Sequence, residues 1–198
     1  MKKLWVFLVD RFTGRNAKNF EVYDEIMTIP NMVTIAGILW TFLYIALYSF
    51  NISPVLIPVL VVLIVLTDAF DGYLADLLNQ HSKYGKVLDP LRDRLFTVAL
   101  LGNIWLIAGN DVLLTIVVTI ALELNLAFYY RRYYLLTGKV KEVHWLGKAR
   151  SALQWLLGFV ILVQFYWLGV MYVSPASLVL VMFMASFAVN LNTFVFRR

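Results

Sequence analysis

Six long apolar segments constrain the fold of this chain more than any other feature of its sequence. Each is close to the about 20 residues that a helix needs to cross a bilayer. Because 62% of the residues are hydrophobic and the mean hydropathy is +0.78, the composition excludes an ordinary soluble globular protein. The segments lie at residues 32–50, 54–76, 88–108, 112–130, 149–169 and 175–196. We therefore expect an all-α integral membrane protein with six transmembrane helices.

The basic residues predict how these helices are oriented. All 17 lysines and arginines fall before the first segment, around the connections at 77–87 and 131–148, or after the last segment. These positions share one side of the membrane if all six segments cross it. Since lysine and arginine concentrate in cytoplasmic loops, that side is predicted to be cytoplasmic. Both termini are then cytoplasmic, and the expected location is the cytoplasmic (inner) membrane.

The N-terminal residues 1–29 mix aromatic, basic and acidic side chains. This composition suits a helix in the membrane interface, where aromatic rings sit at headgroup level and basic groups attract anionic lipid. A solvated basic tail is the alternative. We therefore divide the chain into a juxtamembrane amphipathic segment, residues 1–29, and a six-helix membrane domain, residues 30–198. Cysteine is absent, which excludes disulfide and thiolate–metal chemistry.

Five of the 12 acidic residues cluster at the end of the second apolar segment and the start of the third. Two stripes with helical spacing stand out in this cluster. The first joins two acids to two small residues, at i, i+3, i+4 and i+7: Asp68, Asp71, Gly72 and Ala75. The second joins one glycine to two acids, at i, i+4 and i+8: Gly85, Asp89 and Asp93.

Acidic side chains at the membrane edge are costly, so such a cluster indicates a functional site. If the two stripes face each other, four carboxylates surround one small volume and need a cation between them. Hard carboxylate oxygens suit Mg²⁺, Mn²⁺ or Ca²⁺. For Asp89, which precedes Pro90, a plain helix-capping role is the alternative.

The two stripes together resemble the signature of the CDP-alcohol phosphotransferases, integral membrane enzymes of phospholipid synthesis. That signature reads Asp-x2-Asp-Gly-x2-Ala-Arg-x8-Gly-x3-Asp-x3-Asp. Seven of its residues are present here, and every gap has the right length. The chain departs at one position, where Asp76 replaces the arginine of the family. This replacement puts activity or substrate preference in question.

A shorter resemblance lies at the start of the first apolar segment. Pro30-Asn31-x-x-Thr34 is similar to the start of the first span in many phosphatidylglycerophosphate synthases and their relatives. Many of those proteins carry an arginine a few residues later, where this chain has Gly37. Taken alone, Pro30 could simply mark the first helical turn.

A third resemblance precedes the fifth apolar segment. Gly-Lys148-x-Arg150-Ser151-x-x-Gln is similar to the Gly-Lys-x-Lys-Thr-x-x-Gln element of the phosphatidylglycerophosphate and cardiolipin synthase branch. These basic groups could hold a phosphate, or they could be ordinary cytoplasmic anchors. The same alternatives apply to Arg131 at the end of the fourth segment. Glu123, deeper in that segment, is expected to pair with a polar neighbour.

The resemblance implies a specific reaction, in which a phosphatidyl-type group passes from CDP-diacylglycerol to an acceptor hydroxyl and CMP is released. It implies that Asp68, Asp71 and Asp89 bind Mg²⁺ or Mn²⁺. Asp93 would be a further metal ligand or the base that takes the proton of the acceptor. The other implied contacts fall into two sets. Nucleotide contacts are implied for Asp68, Gly72, Ala75, Gly85, Thr34 and Asn31. Acceptor or phosphate contacts are implied for Lys148, Arg150, Ser151 and Arg131.

Several choices stay open at this point. The expected acceptor is glycerol 3-phosphate; inositol phosphate, serine and phosphatidylglycerol are alternatives. A non-catalytic CDP-lipid-binding relative and, as the weakest alternative, a cation transporter are the other classes. The resemblance implies a homodimer and no nucleic-acid partner. For Asp76 there are three hypotheses: a cation such as Arg92 or Lys83 compensates, Asp76 helps to bind a second ion, or activity is weak.

Overall fold

A computed structural model of the chain describes residues 22–23, 28–78, 80–82, 84–137 and 145–195. Nearly all of these residues are helical, in six α-helices: α1 (Ile29–Ser49), α2 (Leu56–Leu77), α3 (Gly85–Ala108), α4 (Leu113–Thr137), α5 (Trp145–Val163) and α6 (Pro175–Val195). A π-helical turn, Gln164–Leu168, extends α5. Two short strands, β1 (Val22–Tyr23) and β2 (His81–Ser82), pair in parallel.

Five helical stretches are long and apolar enough to cross a membrane: Ile29–Ser49, Leu56–Leu77, Leu88–Tyr129, Leu146–Leu168 and Pro175–Phe194. This confirms a largely helical, multi-pass membrane protein. The count differs from the six expected, because the third stretch is 42 residues long and contains both α3 and α4. These two helices are joined by a short 3₁₀ turn, Gly109–Val112, which contains the polar residues Asn110 and Asp111. Gly109 makes the turn with a positive φ of 73°.

The start of α1 is fixed by a local cap. The hydroxyl of Thr28 accepts a hydrogen bond from the backbone N–H of Asn31 at 3.4 Å. Pro30 lies in the first helical turn, as its fixed φ and missing N–H favour. Most of the interfacial helix predicted for residues 1–29 lies outside the described residues, and Val22–Tyr23 are a strand.

The chain forms two compact units, Met1–Ala99 and Leu100–Arg198, with the boundary inside α3. In the first unit α1 packs along α2. Buried side chains from three helices form its core, including Tyr44 of α1, Ile57 of α2 and Phe96 of α3. The rings of Tyr44 and Phe96 meet edge to face, with centroids 6.1 Å apart.

In the second unit α6 packs against both α4 and α5. Its buried core includes Ile116 of α4, Ile161 of α5 and Met182 of α6. The helix backbone of α5 comes close to Leu100 at Gly158, where a Cβ atom would lie 2.5 Å from Leu100 Cδ2. A side chain at residue 158 would therefore overlap with that leucine.

The close approach at Gly158 predicts that Gly158→Ala lowers the stability of the chain by about 1–3 kcal/mol, because the added methyl overpacks the contact. The measurement is thermal unfolding of the purified chain in detergent. A double-mutant cycle provides the control. Leu100→Ala should cost less in the Gly158→Ala background than in the wild type, because it removes the overlap. Equal costs in both backgrounds would contradict the close contact.

Candidate active site

The two acidic stripes come from the facing ends of two consecutive helices. Asp68 and Asp71 lie in the last turns of α2, and Asp89 and Asp93 lie in the first turns of α3. Asp71 is buried, while the side chains of Asp68 and Asp93 are 25% and 39% exposed. The helix α3 begins at Gly85, one turn before Asp89, so Asp89 lies inside the helix and does not cap it.

A buried arginine lies between these acids. The Arg92 guanidinium, only 1% exposed, donates through Nη1 to Asp71 and through Nη2 to Asp68. Nη2 also donates to Asp93 Oδ1 at 3.1 Å. Because Asp68 and Asp71 belong to α2 and Arg92 belongs to α3, these ion pairs hold the two helices together. Sequence reasoning considered Arg92 only as a possible substitute for the family arginine; its place between Asp89 and Asp93 was the available signal.

Thr34 of α1 connects the two stripes on the other side. Its hydroxyl lies 2.9 Å from Asp71 Oδ2, 3.3 Å from Asp89 Oδ1 and 3.1 Å from the carbonyl oxygen of Pro30. A hydroxyl has a single hydrogen to donate, so Thr34 serves one of these acceptors at a time. It thereby places a donor where two carboxylates approach each other.

A chain of hydrogen bonds fixes the connection between α2 and α3. The Ser82 hydroxyl donates to Asn31 Oδ1 at 2.9 Å and accepts from the backbone N–H of Gly85 at 2.8 Å. A Cβ atom at Gly85 would lie 2.9 Å from Asn31 Oδ1. Glycine therefore lets the start of α3 come close to α1.

A cavity of about 80 Å³ opens beside the carboxylates. Five of the six residues predicted to contact a nucleotide line it: Asn31, Thr34, Gly72, Ala75 and Gly85. The sixth, Asp68, is not among the lining residues. Asp71 and Asp89 also line it, together with Pro30, Gln80 and Ser82. About 10–15 Å³ of such volume is enough for one water molecule, so the cavity has room for a group larger than a single water.

Sequence reasoning missed two of the lining residues. Gln80 and Ser82 belong to the polar connection between α2 and α3, which has no helical period to place its side chains. Gln80 Oε1 lies 3.4 Å from the backbone N–H of Ile29, which it accepts as a weak hydrogen bond. The connection thus folds back onto the start of α1.

The predicted metal ligands suit a hard divalent cation in type. Their carboxylate oxygens come from two helices, and those of Asp68, Asp71 and Asp93 converge on the Arg92 guanidinium. Within the described residues, no three acidic or histidine side chains are placed to share a metal ion as they stand. The reason is visible in the geometry, since the Arg92 guanidinium lies between Asp68, Asp71 and Asp93. The donors fit Mg²⁺ or Mn²⁺ on the condition that Arg92 gives up part of this position.

The predicted acceptor-binding residues belong to the second unit. Arg150 Nη2 forms an ion pair with Glu123 Oε2 at 2.9 Å, so Glu123 has the polar partner expected for it. Lys148 is exposed on the first turn of α5. Ser151 donates to the carbonyl oxygen of Gly147 at 3.3 Å within its own helix. The side chain of Arg131 lies outside the described residues.

The Glu123–Arg150 pair belongs to a larger polar cluster inside the second unit. Gln154 Nε2 donates to Ser186 Oγ at 2.8 Å and to Glu123 Oε1 at 3.2 Å. Gln154 and Ser186 are both buried, at 2% and 0% exposure. Three helices, α4, α5 and α6, therefore share one hydrogen-bonded group in their apolar surroundings.

Comparison with known proteins identifies the family. The profile of the CDP-alcohol phosphatidyltransferase domain matches residues 27–195, which include both acidic stripes and nearly the whole chain. The chain belongs to this family. Five of the seven signature residues line the cavity, and the other two, Asp68 and Asp93, pair with Arg92.

Individual relatives are similar over shorter regions. The CDP-diacylglycerol–glycerol-3-phosphate 3-phosphatidyltransferase of Aquifex aeolicus is 37% identical over 73 residues, 36% of this chain and 39% of the relative. The protein of the same name from Pseudomonas fluorescens is 34% identical over 89 residues, 40% and 46%. The human CDP-diacylglycerol–inositol 3-phosphatidyltransferase is 33% identical over 102 residues, 52% and 46%. The chain thus spans less than half the length of these curated relatives.

The hydroxyl between the two stripes predicts the effect of Thr34→Val. This variant keeps the shape of the side chain but removes the donor, so we expect it to lose about 1–3 kcal/mol of stability. Thr34→Ser, which keeps the hydroxyl, is the matched control and should lose less. Thermal unfolding in detergent measures both. A valine variant as stable as the wild type would show that the hydroxyl does not hold these carboxylates together.

Proposed function

We propose that this chain transfers a phosphatidyl-type group from CDP-diacylglycerol to an acceptor hydroxyl and releases CMP. The observation that carries the proposal is the placement of the family signature. Its four acids lie at the facing ends of α2 and α3, and its small residues line a cavity beside them. The family match over residues 27–195 and the names of the relatives support the same reaction.

Asp68, Asp71 and Asp89 would hold the metal, Mg²⁺ or Mn²⁺. When bound, the ion supplies positive charge that stabilises the phosphoryl oxygens in the transition state. We assign the role of base to the Asp93 carboxylate, whose side chain is 39% exposed and so within reach of an acceptor. As the acceptor oxygen bonds to the lipid-side phosphorus, its proton passes to Asp93. The bond from that phosphorus to the CMP oxygen breaks, and CMP leaves with the bonding electrons.

The cavity is the proposed place for part of the nucleotide. Gly72 and Ala75 on α2 and Gly85 on α3 carry small or no side chains, which leaves space between the helices. Asn31 and Thr34 add an amide and a hydroxyl from α1. A larger group at the glycine positions would fill the space that the nucleotide needs.

Glycerol 3-phosphate is the proposed acceptor, on the strength of the element around Lys148 and of two relatives named for that acceptor. Lys148 and Arg131 would attract its phosphate. Arg150 and Ser151 were predicted to share this role. Since Arg150 is paired with Glu123, we propose that it acts mainly by ordering this region. Inositol is the second acceptor to test, because the human relative is named for it.

We further propose six membrane crossings with a cytoplasmic site. A continuous helix of 42 residues would be about 63 Å long at 1.5 Å per residue, twice the thickness of about 30 Å of the hydrocarbon core. The 3₁₀ turn at Gly109–Val112 is where the chain would reverse. The distribution of lysine and arginine favours cytoplasmic termini. The homodimer remains an expectation from the resemblance, and the inner-membrane location remains an expectation from the distribution of lysine and arginine.

The location of Arg92 favours one of the three hypotheses for Asp76. Asp76 is exposed in the last turn of α2, whereas Arg92 is buried against the acids. Of the charges in this region that the structure describes, Arg92 is therefore the cation best placed to compensate for the missing family arginine. We propose that it does so near the diphosphate.

The test of this function is CMP release by the purified chain with CDP-diacylglycerol and Mg²⁺, against glycerol 3-phosphate, inositol, inositol phosphate, serine and phosphatidylglycerol. We expect release that depends on one acceptor. Asp93→Asn should lower it by about 100-fold or more, because the proton acceptor is lost. Asp111→Asn is the matched control, since Asp111 lies in the 3₁₀ turn at the other end of α3.

Other outcomes would contradict the proposal. Metal-dependent binding of CDP-diacylglycerol without CMP release for any acceptor would identify a non-catalytic relative. Cation flux into vesicles without CMP release would identify a transporter. Equal loss of activity in Asp93→Asn and Asp111→Asn would argue against a specific role of Asp93.

A further inference from the structure

Arg92 is a buried charged residue that the proposed function places near the diphosphate but to which it gives no role toward the metal ion. We infer that its guanidinium is a built-in counter-ion of Asp68, Asp71 and Asp93, and that it competes with the divalent ion for the two of these that are proposed metal ligands, Asp68 and Asp71. This inference rests on the proposed function for the existence of the metal site. It adds a residue that sets how strongly the site holds the metal.

The contacts place the guanidinium next to two of the three carboxylates that are proposed to hold the metal ion. Nη1 faces Asp71, and Nη2 faces both Asp68 and Asp93. Mg²⁺ binds carboxylate oxygens at about 2.0–2.1 Å and demands near-octahedral geometry. The contacts of Arg92 use Asp68 Oδ1, Asp71 Oδ2 and Asp93 Oδ1, which is one oxygen of each carboxylate. A divalent ion that binds Asp68 and Asp71 therefore lies close to the guanidinium, and the two positive groups repel each other and share the same negative charges.

The surrounding residues make room for the arginine stem. A Cβ atom at Gly37 of α1 would lie 2.8 Å from Arg92 Cδ and 2.8 Å from Thr67 Oγ1. Thr67 itself is held, because its hydroxyl donates to the carbonyl oxygen of Ile64 at 2.7 Å. The absence of a side chain at residue 37 thus lets Arg92 reach across to α2. The position of the guanidinium follows from packing on three helices.

Charge decides the direction of the competition. If all four acids are ionised, a single guanidinium leaves three negative charges without compensation, so a divalent ion gains by binding. An ion that binds Asp68 and Asp71 weakens their ion pairs with Arg92, and the loss of these pairs lowers the apparent affinity for the ion. Removing Arg92 therefore destabilises the metal-free chain and strengthens metal binding.

The test uses the full chain in detergent, with Mn²⁺ as the probe and electron paramagnetic resonance to separate free from bound ion. Arg92→Met removes the charge and keeps an unbranched apolar stem. We expect it to bind Mn²⁺ about tenfold or more tightly than the wild type, because the competing ion pairs are gone. Arg92→Lys replaces the forked guanidinium by a single ammonium group, so its Mn²⁺ affinity should lie between those of Arg92→Met and the wild type.

Arg94→Met is the matched control. Arg94 lies two residues further along α3 and forms none of the three ion pairs of Arg92, so this variant should bind Mn²⁺ like the wild type. Thermal unfolding adds a second readout. Without metal, Arg92→Met should melt at a lower temperature than the wild type, and saturating Mn²⁺ should narrow that gap.

Two results would overturn the inference. If folded Arg92→Met binds Mn²⁺ no more tightly than the wild type, Arg92 does not compete, while the proposed metal site and function stand. If neither the wild type nor any variant binds Mn²⁺, the metal site fails and the inference fails with it. Should Arg92→Met not fold, Arg92→Lys decides, since wild-type or weaker affinity in that variant overturns the competition.

Discussion

The ion pairs of Arg92 with Asp68, Asp71 and Asp93 are the interaction on which the rest of this structure depends. Carboxylates at the edge of an apolar helix pair repel one another and lose hydration. A buried guanidinium with donors on both sides relieves this cost and joins α2 to α3. A buried guanidinium is tolerated only where its acidic partners are present, so the arginine and the acids depend on each other.

Two glycines and a cavity leave space beside the Arg92 guanidinium and its acidic partners. Gly37 makes room for the arginine stem, and Gly85 lets α3 start close to α1. The cavity that remains is lined by small residues on one side and by Asn31 and Thr34 on the other. Charge and space thus lie side by side, as a reaction on a diphosphate requires. The proposed chemistry needs both, because a phosphate must reach a metal held by the same acids.

The helices and the facing acidic stripes could be predicted from the sequence, since apolar run length and helical spacing determine them. The pairing of Glu123 with a polar neighbour was also predictable, because an acid inside an apolar helix needs a partner. The position of the Arg92 side chain could not be predicted, because a long side chain that lies between two acids in the sequence can point toward either of them. The folded-back connection at Gln80 and Ser82 could not be predicted either, because it has no helical periodicity that places its side chains. The turn between α3 and α4 could be predicted from the gap between the third and fourth apolar segments, where Gly109 is followed by the polar residues Asn110 and Asp111.

Pulsed electron paramagnetic resonance on Mn²⁺ bound to the chain tests most directly whether the acids hold a metal against the diphosphate. The sample is the wild type saturated with Mn²⁺ and CDP-diacylglycerol. The account predicts a hyperfine coupling between Mn²⁺ and ³¹P that disappears in Asp71→Asn. Bound Mn²⁺ without any ³¹P coupling, at saturating CDP-diacylglycerol, would contradict it.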